Sequence, residues 1–257
     1  MNDAAVRTVR HGAVVTIVLD RPADANSMNR ELVDGLYAAV LDADRDESVT
    51  VLVIRGTGRF FCAGGDLAAI YAAEDPTAIL LELTGVLNSA LHLLSTTSLT
   101  VIAGVNGTVA GGGLGLLLNC DLALTVSTAE FVGAYSSIAM TPDCGVSTLL
   151  PRAIGERRAK QLLLGGQVLD AAMALDWGLV GEVCEPDEFD RRLDGFAEKL
   201  AGGSRAANGS AKRLLAASAR TDYAEQLADE GRTIAAAAAT DEARALMAAF
   251  LQKQSAR

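Results

Sequence analysis

Apolar strands that alternate with helical segments constrain this chain more than any other feature. Four β-branched and aliphatic runs, VVTIVLD (14–20), VTVLVIRG (49–56), TVIAGVNG (100–107) and DLALTV (121–126), lie between stretches of helical spacing. The first closes on Arg21-Pro22 and the second on Gly56 and Gly58, residues that end extended chain and open a turn. Strands that are apolar almost throughout must be covered on both faces, which favours parallel pairing with helical crossovers. Leu32, Leu36 and Val40 give the first helix a single apolar stripe, and residues 78–94 repeat that spacing. The expected fold class is α/β.

The pattern changes near Pro186. Beyond it the glycine-rich loops give way to Ala, Leu, Arg and Glu. Leu193, Phe196, Ala197 and Leu200 form one helical stripe. Three more helices are expected, with breaks near Gly202-Gly203, Thr221 and Thr240. The chain therefore reads as an α/β core over residues 1–188 and a helical region over 189–257.

Composition excludes several classes of function. A formal net charge of −10 over 257 residues opposes binding to nucleic-acid polymers, which need a positive field. A local cation can still meet a small anionic ligand. Cys62, Cys120, Cys144 and Cys184 are far apart with no CxxC spacing, so free thiols and no metal site are expected. His11 and His92 are the only histidines and read as surface or structural residues. The opening MNDAAVRTVRHG lacks the apolar run of a leader, and no stretch reads as long enough to span a bilayer. A cytoplasmic protein with no membrane partner is expected.

No GxGxxG follows a strand, and GxxxxGK[ST], GxSxG and HExxH do not occur. Two glycine-rich loops remain, Phe61-Cys62-Ala63-Gly64-Gly65-Asp66 and the segment from Asn106 to Gly113. Each follows a strand and precedes a helix, a geometry that aims backbone N–H groups at one point. Two such donors can hold an oxyanion. Either loop alone is more often only a turn.

Together they carry more. GRFFCAGGDL, VNGTVAGGGLGLLLNCDLAL, PDCGVSTLLPRAIG and GLVGEV, in this order, resemble the enoyl-CoA hydratase/isomerase (crotonase) family along almost the whole chain. The resemblance implies a spiral of ββα units with a C-terminal helical trimerisation region, assembled as a homotrimer or hexamer. It implies an acyl-CoA thioester substrate, with CoA part of that substrate and no separate cofactor. The thioester oxygen is expected between the N–H groups of Ala63 and Gly112. Gly64, Gly65, Asp66 and Leu67 are expected along the acyl-CoA channel, with Arg21 and Lys253 at the CoA phosphates.

The sequence departs from the hydratases of that family. Their two glutamates fall here on Gly115 and Tyr135. Glycine carries no proton, and tyrosine titrates too high to replace glutamate, so Tyr135 is assigned to substrate binding. One carboxylate remains: Thr141-Pro142-Asp143-Cys144-Gly145 resembles the PD-x-G segment of the family's isomerases, including the phenylacetate-pathway isomerase. Asp143 is thus the expected acid/base of a double-bond shift. It has a second reading, as the N-cap of the following helix. Water addition or thioester hydrolysis through Asp143 or Tyr135, and a non-catalytic acyl-CoA binder, stand as alternatives.

Overall fold

Two strands joined by a turn at Gly12, β1 (Val6–His11) and β2 (Val14–Leu19), open the computed structural model, which describes residues 4–255. They pair antiparallel, with Val6 opposite Leu19 and His11 opposite Val14. β1 is the sheet edge, and Arg7, Thr8 and Arg10 stand along it, polar side chains that blunt an open edge. Helix α1 (Arg30–Arg45) follows, its first turn satisfied by Asn29, whose Oδ1 accepts the Leu32 N–H at 2.9 Å.

Three turns of one pattern come next. The first is β3 (Val51–Gly56), β4 (Phe60–Cys62), α2 (Leu67–Ala72) and α3 (Pro76–Thr96). The second is β5 (Thr100–Val105), β6 (Thr108–Ala110) and α4 (Gly112–Leu118). The third is β7 (Leu122–Val126), β8 (Glu130–Val132), α5 (Val146–Ile154) and α6 (Glu156–Leu163). In each turn the longer strand joins a six-stranded sheet and the shorter one a four-stranded sheet. β9 (Val168–Asp170), α7 (Ala171–Trp177) and β10 (Glu182–Cys184) complete both sheets. Their orders are β1-β2-β3-β5-β7-β10 and β4-β6-β8-β9. This is the expected ββα spiral, parallel throughout except for β1 with β2 and β8 with β9.

Ile17, Leu19, Leu52, Ile54 and Ile102 are fully buried in the large sheet. Helix α3 packs against α1 through a face that includes the buried Leu83, Leu87, Ala90, Leu91 and Leu94. At 21 residues, with a mean hydropathy of 1.4 in its most apolar window, α3 is long and apolar enough to cross a bilayer by length and composition. That corrects the expectation that no stretch reaches such a length. Here Leu83, Leu87, Leu91 and Leu94 serve the protein's own core, while Leu81 is exposed.

Helix α8 (Phe189–Ala201) also belongs to the core. The chain divides into Met1–Gly202 and Gly203–Arg257, so the boundary falls after α8 and not at residue 188. The reason is packing: Phe189, Leu193 and Ala197 are buried, and a Cβ at Gly104 of β5 would stand 2.5 Å from Leu193 Cδ2. Gly104 is the seat of Leu193.

The second unit holds α9 (Arg205–Ser218), α10 (Tyr223–Ala238) and α11 (Asp241–Ser255). Arg213 on α9 meets Asp229 on α10 at 2.6 Å, and Gln226 Nε2 donates to the Leu214 carbonyl at 3.1 Å. Leu215, Ile234, Phe250 and Leu251 are each more than 60% exposed, so this unit presents apolar side chains that a solitary helical bundle would bury.

Candidate active site

The first glycine loop leaves β4 at Cys62 and enters α2 at Asp66, which caps that helix by accepting the Ala69 N–H at 3.1 Å. The loop is pinned at three points. Ala63 N–H donates to the Ala25 carbonyl at 3.1 Å, the Gly64 carbonyl accepts from Met28 N–H at 2.7 Å, and Asp66 N–H donates to the Met28 carbonyl at 3.1 Å. Between the last two anchors, the Gly65 N–H has no protein acceptor among the described residues.

The second loop leaves β6 at Ala110 and enters α4 at Gly112, whose N–H likewise meets no protein acceptor among the described residues. The two loops touch. Gly64 has a φ of +90°, and a Cβ there would lie 2.9 Å from the Gly112 nitrogen and 3.0 Å from the Ala110 carbonyl. Only glycine satisfies both the left-handed backbone and the close approach. The amides of Gly65 and Gly112 are therefore open on the two abutting loops. The expectation of Ala63 as a donor is corrected, because its N–H is already spent on Ala25.

Ala25 is held ready by the turn after β2. Ala25 and Asn26 both have positive φ, and Asn26 is fully buried. Asn26 Nδ2 donates to the Thr57 carbonyl at 2.9 Å and the Phe60 carbonyl at 2.7 Å, while its Oδ1 accepts the Arg21 N–H at 2.9 Å. Asn26 went unnoticed in the sequence. The signal available was an asparagine in a turn that needs left-handed backbone.

Arg21 belongs to the same framework. Its Nη1 donates to the Ser27 carbonyl at 2.6 Å, and its Nη2 pairs with Asp24 at 2.9 Å and Asp66 at 3.1 Å. Both terminal nitrogens are engaged, and the side chain is 15% exposed. The guanidinium clips the CAGGD loop to the preceding turn, a different task from the phosphate contact expected. Burial works to raise the Asp66 carboxyl, but the Ala69 N–H and the Arg21 guanidinium outweigh it and leave it below its ordinary value. Leu67 starts α2 half exposed. Lys253 is exposed on α11, in the other unit.

Asp143 closes the site from the third turn of the spiral. Its Oδ1 lies 3.7 Å from the position of a Cβ on Gly112 and accepts the Tyr135 hydroxyl at 2.8 Å. Tyr135 itself is buried. Asp143 does not cap α5: the N-cap is Gly145, with φ +80° and no side-chain cap bond. The capping reading fails on that geometry. Burial, then the neighbouring Asp143 charge, push the Tyr135 phenol far above its ordinary value, so it stays protonated.

Cys144 follows with φ +52°, left-handed backbone that costs a non-glycine residue about 1–3 kcal/mol. It is buried against α4, where a Cβ on Gly115 would fall 2.2 Å from Cys144 Cβ and 2.8 Å from its carbonyl oxygen. Burial, then the Asp143 charge, push the Cys144 thiol up, and burial pushes Cys62 up to about 12. Neither is a thiolate nucleophile near neutral pH. Among the described residues, no cluster of His, Cys, Asp or Glu is suited to a metal ion.

The site thus consists of two open amides on abutting glycine loops and one carboxylate beside them. A model of the family described as enoyl-CoA hydratase/isomerase matches residues 10–257. The chain belongs to the enoyl-CoA hydratase/isomerase family. The chain is 35% identical to the 1,2-epoxyphenylacetyl-CoA isomerase of Escherichia coli over 73% of its own length and 71% of that protein's. It is 31% identical to the trans-2-decenoyl-[acyl-carrier-protein] isomerase of Streptococcus mutans, over 74% and 73%. The crystal structure of an enoyl-CoA hydratase from Polaromonas sp. JS666 superposes with a TM-score of 0.92 at 29% identity, covering 96% of this chain and 97% of that one. Members of the enoyl-CoA hydratase/isomerase family with such similarity thus bear names from both reaction classes.

Proposed function

We propose that this family member is an enoyl-CoA isomerase that moves a carbon–carbon double bond by a one-acid proton shuttle. The Gly65 and Gly112 N–H groups donate to the thioester oxygen, and the charge that builds there as the α-carbon loses its proton is stabilised by both donors. Asp143 takes the proton from C2 of a 3-enoyl thioester and returns it to C4. The electron pair released at C2 forms the C2–C3 double bond as the C3–C4 bond collects the proton. No group is consumed, and the carboxylate ends as it began.

The observation that carries this reading is the contact at Gly115. Hydration by paired acids needs a second carboxylate near the α-carbon to activate water, and at this position the space for any side chain is filled by Cys144. Tyr135 stands at the other acid position and serves Asp143 as a donor. A site with one carboxylate and two amides supports proton transfer between carbons of a bound chain better than addition of water.

The exposed leucines and Phe250 of the helical unit support association into a homotrimer or hexamer. The reading is tested by incubating the enzyme with 3-enoyl-CoA and 2-enoyl-CoA and separating products by mass and retention time. Double-bond migration should outrun water addition by a wide margin. Hydration of 2-enoyl-CoA at a comparable or faster rate overturns it.

A further inference from the structure

The geometry points to Tyr135 as the positioning residue of Asp143, a fixed hydrogen-bond donor that holds the carboxylate in one orientation beside the open amide of Gly112. This rests on the isomerase reading above and extends it, since Tyr135 was expected only to line the substrate.

The argument begins with exposure. Asp143 lies in an exposed stretch of chain between the 3-10 turn Ser136–Ile138 and α5, and a carboxylate there is free to rotate about χ1 and χ2 unless something holds it. Tyr135 supplies that restraint. Its ring is buried, its hydroxyl donates to Asp143 Oδ1 at 2.8 Å, and the same Oδ1 is the oxygen nearest Gly112. Tyr135 also roots the turn that leads to Asp143, since its carbonyl accepts the N–H groups of Ile138 at 3.2 Å and Met140 at 3.0 Å. One residue therefore fixes both the chain leading to the acid and the acid itself.

The chemistry follows. A one-acid shuttle needs the same oxygen to reach C2 and then C4, so the carboxylate must hold its orientation through two proton transfers. A donor on Oδ1 fixes that orientation beside Gly112. The phenol keeps its own proton throughout, because ionising it beside a carboxylate in a buried position is strongly opposed. Tyr135 thus adds no second acid to the reaction.

The test is Tyr135→Phe, which removes the hydroxyl and little else, alone and combined with Asp143→Asn. Turnover of 3-enoyl-CoA should fall about tenfold in Tyr135→Phe, the scale of a hydrogen bond to a charged group, with KM little changed. Added to Asp143→Asn, the same change should cost nothing more. An unchanged turnover, a rise in KM alone, or an equal loss in both backgrounds overturns the assignment. A second cycle reads the free protein: Tyr135→Phe and Asp143→Ala should have non-additive effects on the urea midpoint, and additivity overturns it. If the parent enzyme neither isomerises 3-enoyl-CoA nor exchanges its C2 proton, the isomerase reading fails. The urea cycle still decides whether Tyr135 holds Asp143.

Discussion

The Asn119 carboxamide ties the turn after Asp143 to the end of α4. Its Nδ2 donates to the Cys144 carbonyl at 3.2 Å and to the Gly115 carbonyl at 2.8 Å. Cys144 has left-handed backbone, so this bond helps hold a conformation the chain would otherwise leave. Replacing Asn119 with Ala should cost about 1–3 kcal/mol, the penalty for stranding a part-buried acceptor, and should lower turnover because Asp143 is the preceding residue. Urea denaturation and initial rates measure the two effects. Lost stability with full turnover would mean that the turn does not aim the acid.

Asp143→Asn keeps the size of the side chain and an oxygen for the Tyr135 hydroxyl, but no longer accepts a proton. Turnover should drop by at least ~100-fold, the usual scale for a positioned general base, while the melting temperature and acyl-CoA affinity hold. Exchange of the C2 proton for solvent deuterium should vanish with it. Retained exchange would move the proton to some other group.

Gly115→Glu should not create a hydratase. A Cβ at this position already meets Cys144 Cβ at 2.2 Å, so even Gly115→Ala forces the turn away from α4, and overpacking of this kind costs roughly 1–3 kcal/mol. Thermal unfolding should show both variants destabilised, with isomerisation reduced and hydration still slow. Rapid hydration by Gly115→Glu would show that the turn gives way easily.

Arg21→Gln separates a structural clip from a phosphate contact. The Asp66 carboxyl sits below its ordinary value of 3.8, so its contribution to stability is complete above that pH and is lost as pH falls through the lowered value. Removing the guanidinium takes away one of the groups that lower it. Stability should therefore fall at neutral pH, and the gap from the parent should narrow as the pH drops below 3.8. The salt dependence of acyl-CoA binding should stay as it was. A flatter salt dependence with unchanged stability would return Arg21 to the phosphates.

The long strands and helices were legible because burial leaves a dense pattern. The 14–20 and 49–56 runs became β2 and β3, and the three expected breaks separate the last four helices. Strand β1 escaped notice because Arg7, Thr8 and Arg10 interrupt it at the sheet edge. The small sheet escaped because each of its strands is three residues long, too short for a period to register. Asp143 and Gly112, both singled out in the sequence, come together in the structure. The exchange of Ala63 for Gly65 was not visible, since which amide faces outward depends on the pairing of Ala25 and Met28 with the loop. The ion pairs of Arg21 were hidden for a related reason: a cation in a sequence does not reveal the carboxylates it meets.

Gly64 pressed against Gly112 has a consequence for how such a catalyst can change. The two loops come from successive coils of the spiral, and what they offer is main chain, which substitutions elsewhere leave in place. The proton carrier proposed above, Asp143, is one side chain borne on a third coil. A lineage with this layout can trade its acid, move it or lose it and still grip the same thioester. Its repertoire of reactions is free to drift while its choice of handle stays fixed.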